Sequence, residues 1–260
     1  MIDIHSHILF GVDDGPETFE QSTALLKKAV GEGITDIIAT SHVLHPSYEV
    51  SAETTLKQVQ QLQEMLKQNG IPLTIHTGHE IRINEQMPQL FEEKKLLPLA
   101  GSDYILVELP SNTVPVFTKP LLLQLQELGY TPIIAHPERN KAIAENPRRL
   151  KDLIQNGALA QVTAGSIAGY FGKTIQKVSM NLIEANLVHT YGSDVHNLDN
   201  RPYLFDKGLT YLEKNKMADV VDVFLENNAR IITNDQMIMF EPQNVRRKKW
   251  WSIFSSKIER

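Results

Sequence analysis

The chain has 260 residues, of which 42% are hydrophobic and 22% charged, and its formal net charge is −5, as in an ordinary globular protein. It contains nine histidines and no cysteine, which excludes a disulfide framework, a thiolate zinc site, an iron–sulfur cluster and a cysteine nucleophile. A metal site of imidazole and carboxylate ligands is therefore the first chemistry to look for.

One pattern recurs along the chain: a short apolar run, a polar turn, and then a segment with helical periodicity. The runs begin 27 to 37 residues apart, which is the length of one strand-plus-helix unit. Seven such units predict an α/β fold in which parallel strands form a single barrel. The runs cover residues 1–4, 36–39, 73–77, 104–107, 131–135, 160–163 and 188–191.

Helix-start and helix-stop signals separate the runs. Thr18 and Gln21 have capping-box spacing before the first helical segment, and Ser51 can cap the second, which Gly70 ends. The chain has no linker or low-complexity segment before its last residues. We therefore predict one domain over 1–243 and a tail over 244–260.

The tail differs in charge from the rest of the chain. It carries a net charge of +5, which leaves −10 on residues 1–243, and it holds both tryptophans, Trp250 and Trp251. Basic residues beside aromatic ones can bind an anionic membrane surface or an acidic partner. The alternative is a solvated chain end.

The beginning of the chain shows neither the basic region nor the apolar region of a secretory signal. The longest uncharged stretch, 153–172, contains too many polar residues and glycines for a membrane span. A cytoplasmic protein is expected, with a position near the inner face of the membrane if the tail binds there.

Histidines and acidic residues cluster where the predicted strands end. His5 and His7 follow the first run at alternate positions, so both imidazoles can reach one ion, and Asp194 and His196 repeat this spacing after the seventh. Barrel enzymes assemble their sites at this end of the strands. The candidate ligands are His5, His7, His42, Glu80, Glu108, His136, Asp194 and His196, together with either Asp13 or Asp14.

Five imidazoles and four carboxylates are too many ligands for one ion, so two or three divalent ions are predicted. Nitrogen and oxygen ligands without sulfur suit Mn²⁺, Fe or Zn²⁺. Three divalent ions would leave a net positive charge on this site. That charge favours an anionic substrate such as a phosphate ester.

Four segments carry a resemblance to a known family: IHSHILFGVDDGP near the start, GHEIRI at 78–83, IIAHPERN at 133–140 and SDVHNLDNRP at 193–202. They resemble the polymerase-and-histidinol-phosphatase (PHP) superfamily, and within it the manganese-dependent protein-tyrosine phosphatases of Gram-positive capsule and exopolysaccharide clusters. The resemblance covers nearly the whole chain. It implies a distorted seven-stranded (β/α)7 TIM-like barrel, the PHP fold, with a three-metal site that prefers Mn²⁺.

The resemblance also implies which residues hold each ion. It implies one ion held by His5, His7, Glu80 and Asp194. A second would be held by Glu80, Glu108 and His136, and a third by Asp14, His42 and His196. Asp14 is chosen over Asp13, although relatives with a shorter loop carry a histidine in this region.

A metal-bridging hydroxide is the expected nucleophile, because coordination lowers the pKa of water from 15.7 to about 7. Arg139, three residues after His136, is the candidate for a bidentate clamp on the phosphate, and Arg201 is a second candidate. The alternative role of both is a surface salt bridge. The loop with His45 and Tyr48 is a candidate for the substrate mouth, although such aromatic residues often only cover a core.

The resemblance implies that the substrate is phosphotyrosine on a protein, namely a membrane-anchored bacterial tyrosine kinase, and that copies of the chain can assemble into a homo-oligomer. Three alternatives remain: a small-molecule phosphatase of the histidinol-phosphate type, a metal-dependent nuclease, and a catalytically silent scaffold that binds the kinase. The −10 charge of residues 1–243 disfavours binding to nucleic acid.

Overall fold

The computed structural model describes residues 1–245, in which parallel strands alternate with helices. The strands are β1 (Ile2–Ser6), β2 (Asp36–Ala39), β3 (His42–Val43), β4 (Thr74–Thr77), β5 (Glu80–Arg82), β6 (Tyr104–Glu108), β7 (Thr131–Ala135), β8 (Leu159–Thr163) and β9 (Thr190–Gly192). The helices are α1 (Phe19–Gly31), α2 (Ala52–Gln68), α3 (Met87–Glu92), α4 (Thr118–Glu127), α5 (Lys141–Glu145), α6 (Arg148–Ile154), α7 (Ala164–Ile167), α8 (Lys173–Glu184), α9 (Phe205–Lys214) and α10 (Ala218–Thr233).

All strand pairs are parallel, and the strands form two sheets. One sheet has the order β1-β2-β4, and the other has the order β3-β5-β6-β7-β8-β9. This confirms the expected α/β class with parallel strands. Each of the seven predicted runs overlaps a strand, and β3 and β5 are additional.

The two additional strands arise because the chain changes sheets. After β2 it passes through Thr40 and Ser41 and then enters β3 in the other sheet, and after β4 it passes through Gly78 and His79 into β5. The two sheets also approach each other at β1 and β9, where the backbone N–H of Asp194 donates to the carbonyl of His5 at 2.8 Å. These crossings bring the carboxyl ends of strands from both sheets together.

Two helices, α1 and α2, begin where the sequence predicts. The Thr18 side chain accepts from the backbone N–H of Gln21 at 3.3 Å, and that of Ser51 accepts from Thr54 at 3.1 Å. Within residues 1–245, no helix has both the length and the apolar character needed to span a bilayer. Residues 246–260 of the predicted tail lie outside the described residues.

His189, just before β9, gives the fold a defined dependence on acid. It is 4% exposed, and its Nδ1 accepts from the backbone N–H of Ala160 at 3.2 Å. Burial lowers the pKa of His189 from 6.5 to about 4, so between these values the unfolded chain binds the proton and the folded chain does not. Stability from this residue is therefore lost as the pH falls through that window.

We expect the His189 contribution to the free energy of unfolding to fall by about 2 kcal/mol between pH 7 and pH 5. Urea unfolding of the wild type and of His189→Gln at both pH values measures it. The variant should be less stable at pH 7 and lose about 2 kcal/mol less on acidification. If the wild type and the variant lost the same free energy of unfolding, His189 would not be the source of this pH dependence.

Candidate metal centre

The predicted ligands converge at the carboxyl ends of the strands. His5 lies in β1, while His42 and Glu80 begin β3 and β5 and are direct partners in the sheet register. Glu108 ends β6, and the remaining histidines and aspartates lie in the turns that follow β1, β7 and β9. One cavity of about 300 Å³ is lined by Asp14, His42, Glu80, Glu108 and His136.

Two of these turn residues have an unusual backbone. His136 and Asp194 have φ angles of 34° and 54°, in the left-handed region that non-glycine residues rarely adopt. Such conformations are costly and often occur at functional sites. They turn the chain sharply at the end of β7 and just after β9.

The first group of ligand atoms surrounds one oxygen of Glu80. Glu80 Oε2 lies 3.4 Å from His5 Nε2 and 3.2 Å from His7 Nε2. Asp194 Oδ1 lies 3.4 Å from His5 Nε2 and 3.7 Å from His7 Nε2. Ligand atoms that share an ion about 2 Å away lie about 3 to 4 Å apart, so this spacing fits one bound ion.

The second group also includes Glu80 but differs in one histidine from the set that the resemblance implies. Donor atoms of His42, Glu80 and Glu108 lie within 4.8 Å of one another, and His42 Nδ1 is 3.1 Å from Glu80 Oε2. His136 Nε2 instead lies 2.6 Å from Glu80 Oε1. Glu80 is thus in contact with four imidazoles.

The third group centres on Asp14. Its Oδ1 lies 3.1 Å from His196 Nε2 and 3.5 Å from His42 Nε2. His7 also belongs to this group, with its Nδ1 at 3.8 Å, and its ring stacks on that of His196 at 3.9 Å. Asp14 is about one-third exposed, and it faces the cavity.

The neighbouring Asp13 has a different position. Its Oδ2 lies 3.0 Å from His7 Nδ1 and accepts from the backbone N–H of His42 at 3.2 Å, while Oδ1 accepts from Gly15 at 3.0 Å. Burial raises the pKa of Asp13, but the charge of His7 outweighs it and lowers the pKa to about 2. The ionised Asp13 therefore orients the His7 ring, whereas Asp14 points at the ligand imidazoles.

Gln161 supports His5 as Asp13 supports His7, a role that was not predicted from the sequence. Its Oε1 lies 2.9 Å from His5 Nδ1, and it is fully buried in β8. With Nδ1 donating to this oxygen, the free lone pair of the neutral ring is on Nε2, on the ligand side. A polar residue inside a buried strand was the available signal.

The pKa values of the histidines in this site depend on nearby charges as well as on burial. Burial lowers the pKa of His42 and His196 to about 4, so both rings are neutral at pH 7, as metal ligands must be. Burial also disfavours charge on His7, but Asp13 and Glu80 raise its pKa to about 10. A bound cation would take the place of that proton between the same carboxylates.

Buried polar atoms nearly always have hydrogen-bond partners, yet this site holds several without one. The atoms that lack a hydrogen bond of good geometry are His5 Nε2, His7 Nε2, Asp14 Oδ1, His42 Nδ1, Glu108 Oε2 and Asp194 Oδ1. Glu108 Oε2 does lie 2.8 Å from Arg82 Nη1, as an ion pair. The other five atoms each lie within 3.5 Å of a nitrogen or oxygen of another predicted ligand, so divalent ions fit between them.

Both predicted arginines lie at this cavity and contact the same candidate ligand. Arg139 Nη2 and Arg201 Nη2 are 2.6 Å and 2.7 Å from Asp194 Oδ2. Arg201 Nη1 also lies 2.6 Å from His196 Nε2 and 3.3 Å from Asp14 Oδ2. Neither forms only a surface salt bridge, because both side chains line the cavity and are mostly buried.

Comparison with known proteins gives consistent matches. Residues 1–233 match a family described as capsular polysaccharide synthesis, CpsB/CapC. The tyrosine-protein phosphatase YwqE of Bacillus subtilis is 39% identical, over 98% of this chain and 100% of that protein. The tyrosine-protein phosphatase CpsB of Streptococcus pneumoniae is 34% identical, over 92% of this chain and 100% of its own.

A solved structure is also similar to this chain. It comes from work on YwqE from Bacillus subtilis and CpsB from Streptococcus pneumoniae, described as unique metal-dependent tyrosine phosphatases. It superimposes with a TM-score of 0.92 at 39% sequence identity and covers 95% of this chain and 100% of that one.

Proposed function

The chain belongs to the CpsB/CapC family of capsular polysaccharide synthesis, and we propose that the cavity at the carboxyl ends of its strands is where it hydrolyses phosphotyrosine. It is a metal-dependent tyrosine-protein phosphatase, as its relatives at 34% and 39% identity are. One feature supports the location most strongly: five buried nitrogen and oxygen atoms of the predicted ligands, which lack a hydrogen bond of good geometry, lie close to one another beside two guanidinium groups.

Three ions would be held by overlapping sets of side chains, with Glu80 shared. His5, His7 and Asp194 complete the first set, Glu108 with His136 or His42 the second, and Asp14, His42 and His196 form the third. When bound, the ions supply Lewis-acid charge that activates water and neutralises phosphoryl oxygens. We propose Mn²⁺ as the ion because the chain resembles manganese-dependent phosphatases. Fe and Zn²⁺ are alternatives, since every donor is nitrogen or oxygen.

Arg139 and Arg201 would bind the phosphoryl group. Each guanidinium has five N–H donors, and only some of them contact Asp194, Asp14 or His196. The others can donate to phosphoryl oxygens, which carry increased charge in the transition state. The leaving phenolate needs little proton assistance because the pKa of tyrosine is about 10.

The proposed substrate is a phosphotyrosine protein, and the proposed partner is a membrane-anchored bacterial tyrosine kinase. Turnover of a phosphotyrosine peptide, histidinol phosphate and single-stranded DNA by the Mn²⁺-loaded chain tests this choice. We expect the peptide to have the highest kcat/KM. A higher value for histidinol phosphate would favour the small-molecule phosphatase, and no turnover of any of them would favour the scaffold.

The architecture and the tail complete the proposal. We propose that the two sheets together act as one distorted seven-stranded barrel over 1–243, in which β3 and β5 continue β2 and β4. The hydrogen bond from Asp194, just after β9, to His5 in β1 supports this arrangement. We propose that the basic tail, 244–260, brings a cytoplasmic enzyme to the membrane surface and that copies can form a homo-oligomer. Liposome sedimentation of the full chain and of a chain ending at residue 243 tests the tail, since equal binding would remove this role.

Because Asp13 and Asp14 occupy different positions, we expect their removal to affect metal binding in different ways. Asp14→Ala removes a proposed ligand, so the variant should bind one ion fewer. Asp13→Ala removes the carboxylate that orients His7, so all ions should still bind but with affinity lower by about 10- to 100-fold. Mn²⁺ titration with metal analysis measures both effects.

Asp222→Ala, an exposed change on α10, is the matched control and should keep the wild-type affinity. If Asp13→Ala loses an ion while Asp14→Ala retains all of them, Asp13 is the ligand and the two roles are reversed.

A further inference from the structure

An aromatic pair lies at the edge of the metal cavity, on the loop between β3 and α2. His45 lines the cavity, and its ring stacks on that of the ligand candidate His42 at 4.6 Å and 22°. Tyr48 lies against both rings, with its centroid 5.3 Å from that of His45 at 17° and 5.7 Å from that of His42 at 9°. The three rings form one continuous, nearly parallel aromatic surface that begins at the metal site.

The loop holds this surface in place. The backbone N–H of Val50 donates to the carbonyl of His42 at 3.1 Å and closes the loop, and that of Leu44 donates to Glu49 at 3.0 Å. Pro46 fixes one backbone angle directly after His45. An aromatic group that meets this surface would therefore find it already formed and would not have to order it.

His45 has no metal-binding role in this geometry. The backbone N–H of Ser47 donates to His45 Nδ1 at 3.2 Å, so in a neutral ring the proton is on Nε2 and neither nitrogen offers a free lone pair. None of the candidate metal groups found among residues 1–245 contains His45. The ring is half-buried at the cavity and is not part of the core.

The rest of the cavity is unsuited to a planar apolar group. Apart from Leu109 and Ala135, its other lining residues are charged, polar or candidate ligands. In an aryl phosphate the ring is joined directly to the phosphoryl oxygen, so the ring must lie next to wherever the phosphate binds. An alkyl phosphate has no such ring and would gain nothing from an aromatic wall.

We propose that His45, supported by Tyr48, is the binding surface for the aromatic ring of the substrate and makes the site selective for aryl over alkyl phosphates. The proposal rests on phosphotyrosine hydrolysis at this cavity. Offset or edge-to-face contact between two rings strengthens binding by about 2- to 10-fold beyond the effect of buried area. His45 is thus a specificity residue for the ring, while the ions and arginines bind the phosphate.

Binding of two non-hydrolysable probes tests this directly. Phenylphosphonate and methylphosphonate carry the same anionic group and differ in the ring, and calorimetric titration of the Mn²⁺-loaded full chain gives both dissociation constants. We expect His45→Ala to raise the constant for phenylphosphonate by about 2- to 10-fold and leave that for methylphosphonate unchanged. His45→Phe should restore phenylphosphonate binding.

His76→Ala, a histidine change on β4 in a side chain that pairs with Asp36, is the matched control, and all variants should contain as much metal as the wild type. Equal shifts for both probes, no shift for either, or failure of His45→Phe to restore binding would overturn the proposal. Failure of the proposed function would appear differently, as a wild-type enzyme that does not turn over phosphotyrosine peptide.

Discussion

Glu80→Gln should lower kcat/KM for a phosphotyrosine peptide by about 1,000-fold or more. The carboxylate of Glu80 lies within 3.4 Å of ring nitrogens of His5, His7, His42 and His136. It is 1% exposed, and nearby imidazoles hold its pKa well below the usual range despite burial. A neutral amide of the same size cannot balance the charge of two ions, so both affected ions should bind weakly or be lost.

Steady-state kinetics with saturating Mn²⁺, together with metal analysis, measures this loss. Glu85→Gln changes an exposed glutamate in the same segment and should leave both quantities unchanged. A Glu80→Gln enzyme that keeps wild-type activity and metal content would show that this carboxylate is not the shared ligand.

Arg139→Ala and Arg201→Ala should each lower kcat/KM by about 100- to 1,000-fold with the ions still bound. The guanidinium groups face the cavity from two different turns and both contact Asp194 Oδ2. Removing one deletes a fixed positive donor for the phosphoryl oxygens in a site where water screens charge poorly. Lysine at either position should restore only part of the rate, because it lacks the planar pair of donors.

Metal analysis distinguishes phosphate binding by the arginines from a role in orienting Asp194. The Mn²⁺ affinity of both alanine variants should stay near that of the wild type, and Arg149→Ala, at an exposed arginine on α6, should change nothing. If the activity falls only because an ion is lost, the arginines act by orienting Asp194 and do not bind phosphate.

Much of the fold could be predicted because strand spacing and helix caps are local properties. The apolar runs overlap seven of the nine strands found within residues 1–245, and Thr18 and Ser51 cap α1 and α2 as their spacing indicates. The strands β3 and β5 were missed because they have two and three residues, too few to show a period. They exist only because the chain moves from one sheet to the other.

The convergence of the candidate ligands could also be predicted, because parallel strands place their carboxyl ends at one edge. Their grouping could not, since it depends on how each ring is turned. His42 rather than His136 lies with Glu80 and Glu108, and Asp13 lies behind His7 while Asp14 faces the cavity. The support of His5 by Gln161 joins residues 156 positions apart and leaves no sequence pattern.

This chain is a metal-dependent tyrosine phosphatase, and we propose that its histidines and carboxylates hold the divalent ions on which hydrolysis depends. The most direct test is to strip the metal from the full chain with a chelator, remove the chelator, and measure phosphotyrosine peptide hydrolysis before and after Mn²⁺ is restored. We predict loss of activity on stripping and recovery as two or three equivalents of Mn²⁺ bind. Undiminished hydrolysis by a chain shown to contain no metal would show that the reaction does not depend on the divalent ions.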